Sequence, residues 1–322
     1  MTLLVEVLSA LIPLFALIAL GFLLQRKTPL LHRAHVPILN GIVLNVTLPA
    51  VVFLAIARAP ALTLADSRLP LALIVAQAAV LAIAYVVGRM LRMARPALGM
   101  LMATSAFGNT TFLGYPIALS VLPRLFPSAV LLDQFGMVLV MFLVTPLIGS
   151  VLGAGAEAGG APRDAIRRFG RNPIFLSVVA ALIARSLPLP LPFTTNPAVA
   201  SLGQIALRTL GYLAQATTPL VLLALGAALQ PRAALGSSRL LLLPCVLKLL
   251  LCPLLMWVAC RALGLGGDTL RIGVLQASMP TSVLCSLLCA QYEMEGTLAG
   301  GVVFAATALS LVTIPLLQTI LH

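Results

Sequence analysis

The chain has 322 residues, of which 61% are apolar and 9% charged, with a formal net charge of +12 and a mean hydropathy of +1.12. A soluble domain needs about 25% charged residues to cover its surface, so water is excluded as the main solvent, and lipid leaves only a helix bundle or a closed barrel. The apolar runs are long enough to cross ~30 Å of hydrocarbon as helices and lack the alternating ten-residue pattern of barrel strands. The basic residues fall in short connectors, where they read as topology signals rather than as a nucleic-acid surface.

In chain order the runs predict spans at Leu3–Leu24, Pro37–Ala57, Pro70–Met90, Leu98–Leu122, Ala129–Leu152, Pro173–Leu189, Ile205–Leu229, Leu240–Ala262, Ile272–Gln291 and Leu298–Leu321. The first six residues carry no positive charge and the basic cluster follows the first run, so that run is expected to be a retained helix rather than a cleaved signal. Connectors after the odd-numbered spans hold twelve Lys or Arg and those after the even-numbered spans seven. The odd connectors are therefore expected to be cytoplasmic, with both termini outside a cell membrane, the inner one in a bacterium. The longest connector, residues 153–172, joins a Gly/Ala-rich stretch to Arg163, Arg167, Arg168 and Arg171 and reads as a flexible cytoplasmic linker against anionic headgroups. It separates 1–152 from 173–322 as two five-helix repeats.

Matching segments occur in the same order in both halves. Pro13-Leu14-Phe15-Ala16-Leu17 is matched by Pro173-Ile174-Phe175-Leu176-Ser177, and Asn45-Val46-Thr47-Leu48-Pro49 by Gln215-Ala216-Thr217-Thr218-Pro219. Leu143-Val144-Thr145-Pro146 is echoed by Leu311-Val312-Thr313-Ile314-Pro315. An odd number of spans per repeat forces the copies to face opposite ways, and inverted repeats are a signature of secondary transporters whose site forms between discontinuous helices.

The fourth and ninth runs are poor helices for such a place. Thr104 to Pro116 contains Gly108-Asn109-Thr110-Thr111 and Gly114-Tyr115-Pro116, and the ninth run reads Gln276-Ala277-Ser278-Met279-Pro280-Thr281-Ser282. Proline removes a backbone donor and glycine weakens the helix around it. Each half-helix that starts at such a break presents unpaired N–H groups and a positive dipole end, which suits an anion. Gly108, Asn109, Thr110, Pro280, Thr281 and Ser282 are therefore the first candidates for a substrate site; proline kinks packed on small residues are the other reading. Asn45, Thr47, Gln215 and Thr217 either contribute to it or form interhelical hydrogen bonds. Lys248 is the one lysine inside a run, and leaving it uncompensated there would cost about 2.5–3.5 kcal/mol, so it is either structural or linked to substrate; its repeat mate is Gln77.

No acid is expected in the polar core, with Glu6 and Asp133 placed near outer ends. The five cysteines sit in apolar runs of the second half and read as packing residues, while His32, His35 and His322 lie outside the spans. No metal, cofactor or catalytic cluster is expected, so the chain does not read as an enzyme; sodium or proton coupling is left open.

The joint order of Ile12-Pro13-Leu14-Phe15, the Asn45–Pro49 segment, Phe107-Gly108-Asn109-Thr110, Gly114-Tyr115-Pro116, Arg171-Asn172-Pro173, Thr218-Pro219 and Ala277-Ser278-Met279-Pro280 resembles the auxin efflux carrier family across essentially the whole chain. That family includes bacterial malate and malonate permeases and plant auxin exporters. The resemblance implies an all-α polytopic membrane protein of ten transmembrane helices in two inverted repeats, similar to bile-acid sodium symporters, with helices four and nine broken where they cross. Asn109 and Pro280 would sit at that crossing. It also implies transport of small organic anions; the oligomeric state is left open, with a homodimer as one arrangement in the bilayer. Gln77 stands where plant members are expected to carry an acid, so proton coupling through that position is not implied. A receptor that binds a carboxylate without moving it is the competing reading.

Overall fold

A computed structural model of the chain describes residues 3–27, 35–57, 64–154, 170–171, 173–186, 197–229 and 238–320. Among these, the structure is helical apart from turns and one isolated antiparallel bridge between Gly108 and Thr281. The helices are α1 (Leu3–Lys27), α2 (Val36–Ala57), α3 (Leu64–Met90), α4 (Arg95–Ala106), α5 (Thr110–Val121) and α6 (Pro123–Leu152). They continue as α7 (Pro173–Ser186), α8 (Pro197–Ala228), α9 (238–262), α10 (Gly267–Ala277), α11 (Val283–Gln291) and α12 (Gly296–Ile320). Six of them are long and apolar enough to cross a membrane: α2, α6 and most of α3, α8, α9 and α12. Most of the linker, 155–169 and Asn172, lies outside the described residues, as do His32 and His322.

The fourth and ninth runs each appear as two helices rather than one. Helix α4 stops at Ala106, and Phe107 is extended (φ −100°, ψ 115°) before α5 begins at Thr110. Helix α10 ends at Ala277, and Ser282 is extended (φ −68°, ψ 135°) before α11. Pro280 disfavours helical geometry at Met279, which is enough to end α10 there.

Four π-helical turns occur among the described residues, at Val43–Thr47, Thr110–Gly114, Leu132–Val138 and Leu247–Leu251. Three of them end two residues before a proline: Pro49, Pro116 and Pro253. A proline ring has no N–H and clashes with the carbonyl four residues back, which here lies inside each π turn; widening that turn lets the helix continue. The fourth turn, on α6, has no proline in that position.

Two compact units divide the chain, and each draws on both halves of the sequence. The first comprises Met1–Ala16, Thr63–Arg167 and Leu229–His322 and holds α3 to α6 and α9 to α12. Within it α3 packs on α4 and α9, α9 on α10, and α11 on α12. The turn after α11 closes onto the end of α6, where the ring of Tyr292 covers Gly149 and Gly153 meets the Tyr292 carbonyl. Met294 in the same turn is fully buried against Gly99.

The second unit, Leu17–Leu62 and Arg168–Ala228, contains the end of α1 with α2, α7 and α8. Here α2 packs on α7 and α8. A Cβ on Gly21 would lie 2.2 Å from the Leu223 carbonyl oxygen, and one on Gly226 would lie 1.9 Å from that of Ile18. The two backbones meet directly, which only small residues permit between apolar helices. The Gly226→Leu variant is expected to lose about 1–3 kcal/mol through overpacking, read as a lowered thermal unfolding midpoint of the purified protein in detergent; Gly211→Ala on the same helix, where nothing lies within 4 Å, is expected to leave the midpoint in place.

Candidate functional site

The two breaks face one another and exchange backbone hydrogen bonds. The Asn109 N–H donates to the Pro280 carbonyl at 2.7 Å, and the Ser282 N–H donates to the Phe107 carbonyl at 3.0 Å. The Thr281 hydroxyl donates to the Thr104 carbonyl at 2.8 Å, closing an end group that α4 leaves open. Asn109 caps α5, its side-chain oxygen accepting from the Phe112 N–H at 3.3 Å. Its amide nitrogen is buried and has no partner. Gly108, Asn109, Thr110, Pro280, Thr281 and Ser282 thus meet in one place, all buried.

Lys248 joins them. It is fully buried on the π turn of α9, and its Nζ donates to the Ala277 carbonyl at 2.8 Å and to Cys252 Sγ at 3.4 Å. A cation at the C-terminal carbonyls of α10 is favoured by the helix dipole. The stem lies against Gly108, where a Cβ would sit 2.9 Å from Cε and 3.0 Å from Nζ. The only ion pair among the described residues is Arg271 with Asp268, so none of their carboxylates pairs with Lys248.

Gln77, expected from the sequence as the repeat mate of Lys248, is buried on α3 and donates to Met137 Sδ at 3.1 Å; the Gly108 N–H reaches the same sulfur at 3.3 Å. Gln276 packs its amide against Gly114 on α5 and donates to that residue's carbonyl at 3.5 Å.

The expectation that no acid reaches the polar core is corrected by Asp133. It lies on the π turn of α6, fully buried, with both carboxylate oxygens engaged. The hydroxyl of Thr110 donates to Oδ1; Thr111 Oγ1 at 2.8 Å, Tyr115 OH at 2.6 Å and Gln134 Nε2 at 2.8 Å donate to Oδ2. Gln134 Nε2 also lies 3.2 Å from Tyr115 OH. Chain position near the start of a run suggested an outer end, but the π turn directs this side chain toward α5. Asp133, Gln134 and Tyr115 are the residues sequence reasoning missed. A polar pair, Asp133-Gln134, inside an apolar run was the available signal.

The second unit holds the other four candidates, which the structure does not gather into a comparable cluster. Asn45 is exposed on the π turn of α2 and donates to the Gly41 carbonyl at 2.8 Å, while Thr47 is buried with its hydroxyl unpartnered. Thr217 donates to the Leu213 carbonyl at 3.2 Å. Gln215 is exposed and lines an open cavity of about 510 Å³ with Gln204, Arg208 and Tyr212, one polar stripe along α8.

A family model described as membrane transport protein matches residues 6–158 and 163–318. Among similar proteins is one from Methanocaldococcus jannaschii named "Uncharacterized transporter", 24% identical over 290 residues that cover 89% of this chain and 90% of that one. A second bearing that name, from Methanothermobacter thermautotrophicus, is 26% identical over 306 residues, covering 95% of both. A third, from Rhizobium meliloti, is named "Putative malonate transporter" and is 28% identical over 321 residues, covering 96% of this chain and 94% of that one.

Because a side chain at position 108 would meet both the Lys248 stem and the Met279 carbonyl, at 3.2 Å from the latter, Gly108→Val is expected to cost about 1–3 kcal/mol. Thr281→Val keeps shape but strands the Thr104 carbonyl, a loss of about 1–3 kcal/mol. Thermal unfolding of each purified variant against the unaltered chain checks both.

Proposed function

Since the chain belongs to the membrane transport protein family, the auxin efflux carriers, and is a multi-pass membrane protein of that transporter family, we propose that it is a secondary transporter for small organic anions. The substrate class is short carboxylates of the malonate and malate kind. The observation that carries this reading is the buried Lys248, without a carboxylate partner among the described residues, set beside the unpartnered amide nitrogen of Asn109. An uncompensated buried cation is costly, and a carboxylate entering beside Gly108 supplies the missing charge. The first turn of α11, behind Ser282, adds N–H groups that its own helix leaves unused. The relative named for malonate agrees with that choice.

The architecture we propose is ten spans in two inverted repeats, 1–152 and 173–322 about a cytoplasmic linker, in the cytoplasmic membrane with both termini outside. Two observations support it. The broken helices pair at corresponding positions of the two halves, and each compact unit takes helices from both halves, as interlocked repeats would. The crossing residues are buried in this conformation, so substrate reaches them only when the region around the breaks opens, alternately to each side. Transport needs no bond-making, and the family and the similar proteins are transporters rather than enzymes.

In proteoliposomes, the unaltered chain is expected to exchange labelled malonate for unlabelled malonate held inside. Asn109→Ala is expected to abolish that exchange while the protein stays folded and monodisperse. Lys248→Met is expected to weaken malonate binding on the order of 10- to 100-fold, the value of one charge-assisted hydrogen bond. Unchanged exchange in Asn109→Ala would place the site elsewhere. Binding with no exchange in the unaltered chain would make it a receptor instead.

A further inference from the structure

We propose that Asp133 is a proton-binding site coupled to the crossing, and that one proton taken up there accompanies each anion carried. This rests on the reading of Lys248 and Asn109 as the anion site. Asp133 is fully buried, and its carboxylate is bonded to Thr110 and Thr111, the two residues that follow Asn109 into α5. The break is thus flanked by Lys248 against Gly108 and by Asp133 against Thr110. When both are ionised the pair sums to zero charge. A monocarboxylate bound at Lys248 leaves one negative charge in an apolar setting and a dicarboxylate such as malonate leaves two; a proton on Asp133 removes one of them. Moving an uncompensated charge through hydrocarbon is costly, so the loaded and proton-bearing form is the one suited to crossing.

The groups around Asp133 fit a proton better than a metal cation. Both oxygens are covered by donors: three hydroxyls and the Gln134 amide. A sodium ion would have to displace several of them to gather its oxygen ligands. A proton needs only one of the hydroxyls of Thr110, Thr111 or Tyr115 to turn, because a hydroxyl accepts as readily as it donates. The proton comes from water on one side, adds to a carboxylate oxygen to give the acid, and leaves to water on the other side. No other bond changes.

Among the described side chains, the neighbours leave this role to Asp133. Helix α3, packed against its π turn, carries Arg68, Tyr85 and Arg89, with the Asp66 side chain outside the described ones; α5 carries Tyr115, α6 Arg124, and α10 Asp268 and Arg271. Of these only Tyr115 is bonded to Asp133. Two π turns, Thr110–Gly114 and Leu132–Val138, meet through this cluster, and such turns recur at functional sites because they free backbone groups and tolerate rearrangement.

The test uses the full chain in proteoliposomes with the membrane potential clamped at zero, malonate as substrate and a pH difference of about one unit, acid outside. One proton per malonate predicts about tenfold accumulation, since one pH unit is worth a factor of ten. Asp133→Asn is expected to lose the accumulation, which is read as the steady-state ratio and so does not depend on how fast the variant exchanges malonate. Accumulation that persists in Asp133→Asn means the proton travels on malonate itself and overturns the proposal. So does accumulation driven by a sodium gradient at equal pH and lost in that variant. Tyr115→Phe keeps the carboxylate but removes one donor; it is expected to keep accumulation with an altered pH profile, and an unaltered profile argues against Asp133. Infrared difference spectra of the protein without substrate give an independent reading, with a protonated-carboxyl band that titrates in the unaltered chain and is missing in Asp133→Asn. A chain that fails to exchange malonate sinks the substrate reading, and this band then still decides the proton site: its presence supports the site and its absence overturns it.

Discussion

The structure of the first unit turns on how two interrupted helices satisfy their backbone without water. Each break frees N–H and C=O groups, and in an apolar surrounding an unpaired one costs several kcal/mol. The antiparallel contact of Phe107–Asn109 with Pro280–Ser282 resolves part of this by letting each break supply the other's partners. Side chains complete the rest: Thr281 serves the end of α4, Lys248 the end of α10, and Asn109 the start of α5. The break is therefore a shared device. Neither helix could be interrupted at that point in isolation.

That sharing explains why small residues stand where they do. Gly108 allows Lys248 to pass beside the chain, and Gly114 admits the Gln276 amide, whose oxygen would lie 2.3 Å from a Cβ there. Glycine costs a helix about 1 kcal/mol, but at these places the helix is already interrupted or widened. The same residues that lower helix propensity open the space that polar side chains fill. Packing and function draw on one set of positions here, so a substitution tolerated by a plain transmembrane helix has consequences at the crossing.

Much of this was legible from Pro280, Gly108 and Asn109, because proline and glycine act locally and their effect on a helix does not depend on distant partners. The apolar runs were legible for the same reason, since length and hydropathy are local properties. Asp133 was not. Its position in the run gave a depth estimate, whereas its surroundings are set by the π turn of α6 and by Thr110, Thr111 and Tyr115 on another helix. No proline announces that turn, in contrast to those before Pro49, Pro116 and Pro253. The pairing of Lys248 with Pro253 could have been read: a polar residue a few places before an intramembrane proline sits on a widened turn, as Asn45 and Thr47 do before Pro49. The division into compact units was hidden as well, because each unit joins stretches far apart in the chain and depends on which helices pack together.

The two ionisable side chains differ in how completely their surroundings hold them. Asp133 has four donors on two oxygens, a closed shell that would fix a carboxylate firmly if all four pointed inward at once. Lys248 has a carbonyl and a thiol, the latter a weak acceptor. A purely structural lysine would be expected to gather strong acceptors as Asp133 gathers donors, because burial makes each missing partner costly. Its poorer shell is what supports the proposal that charge at this side of the crossing is matched from outside the protein. The hydroxyl-rich shell of Asp133 can reverse a donor and so tolerate either protonation state. On the proposed reading, the asymmetry gives the crossing an anion-seeking face at Gly108 and a proton-tolerant face at Thr110, with the unpartnered Asn109 amide nitrogen between them.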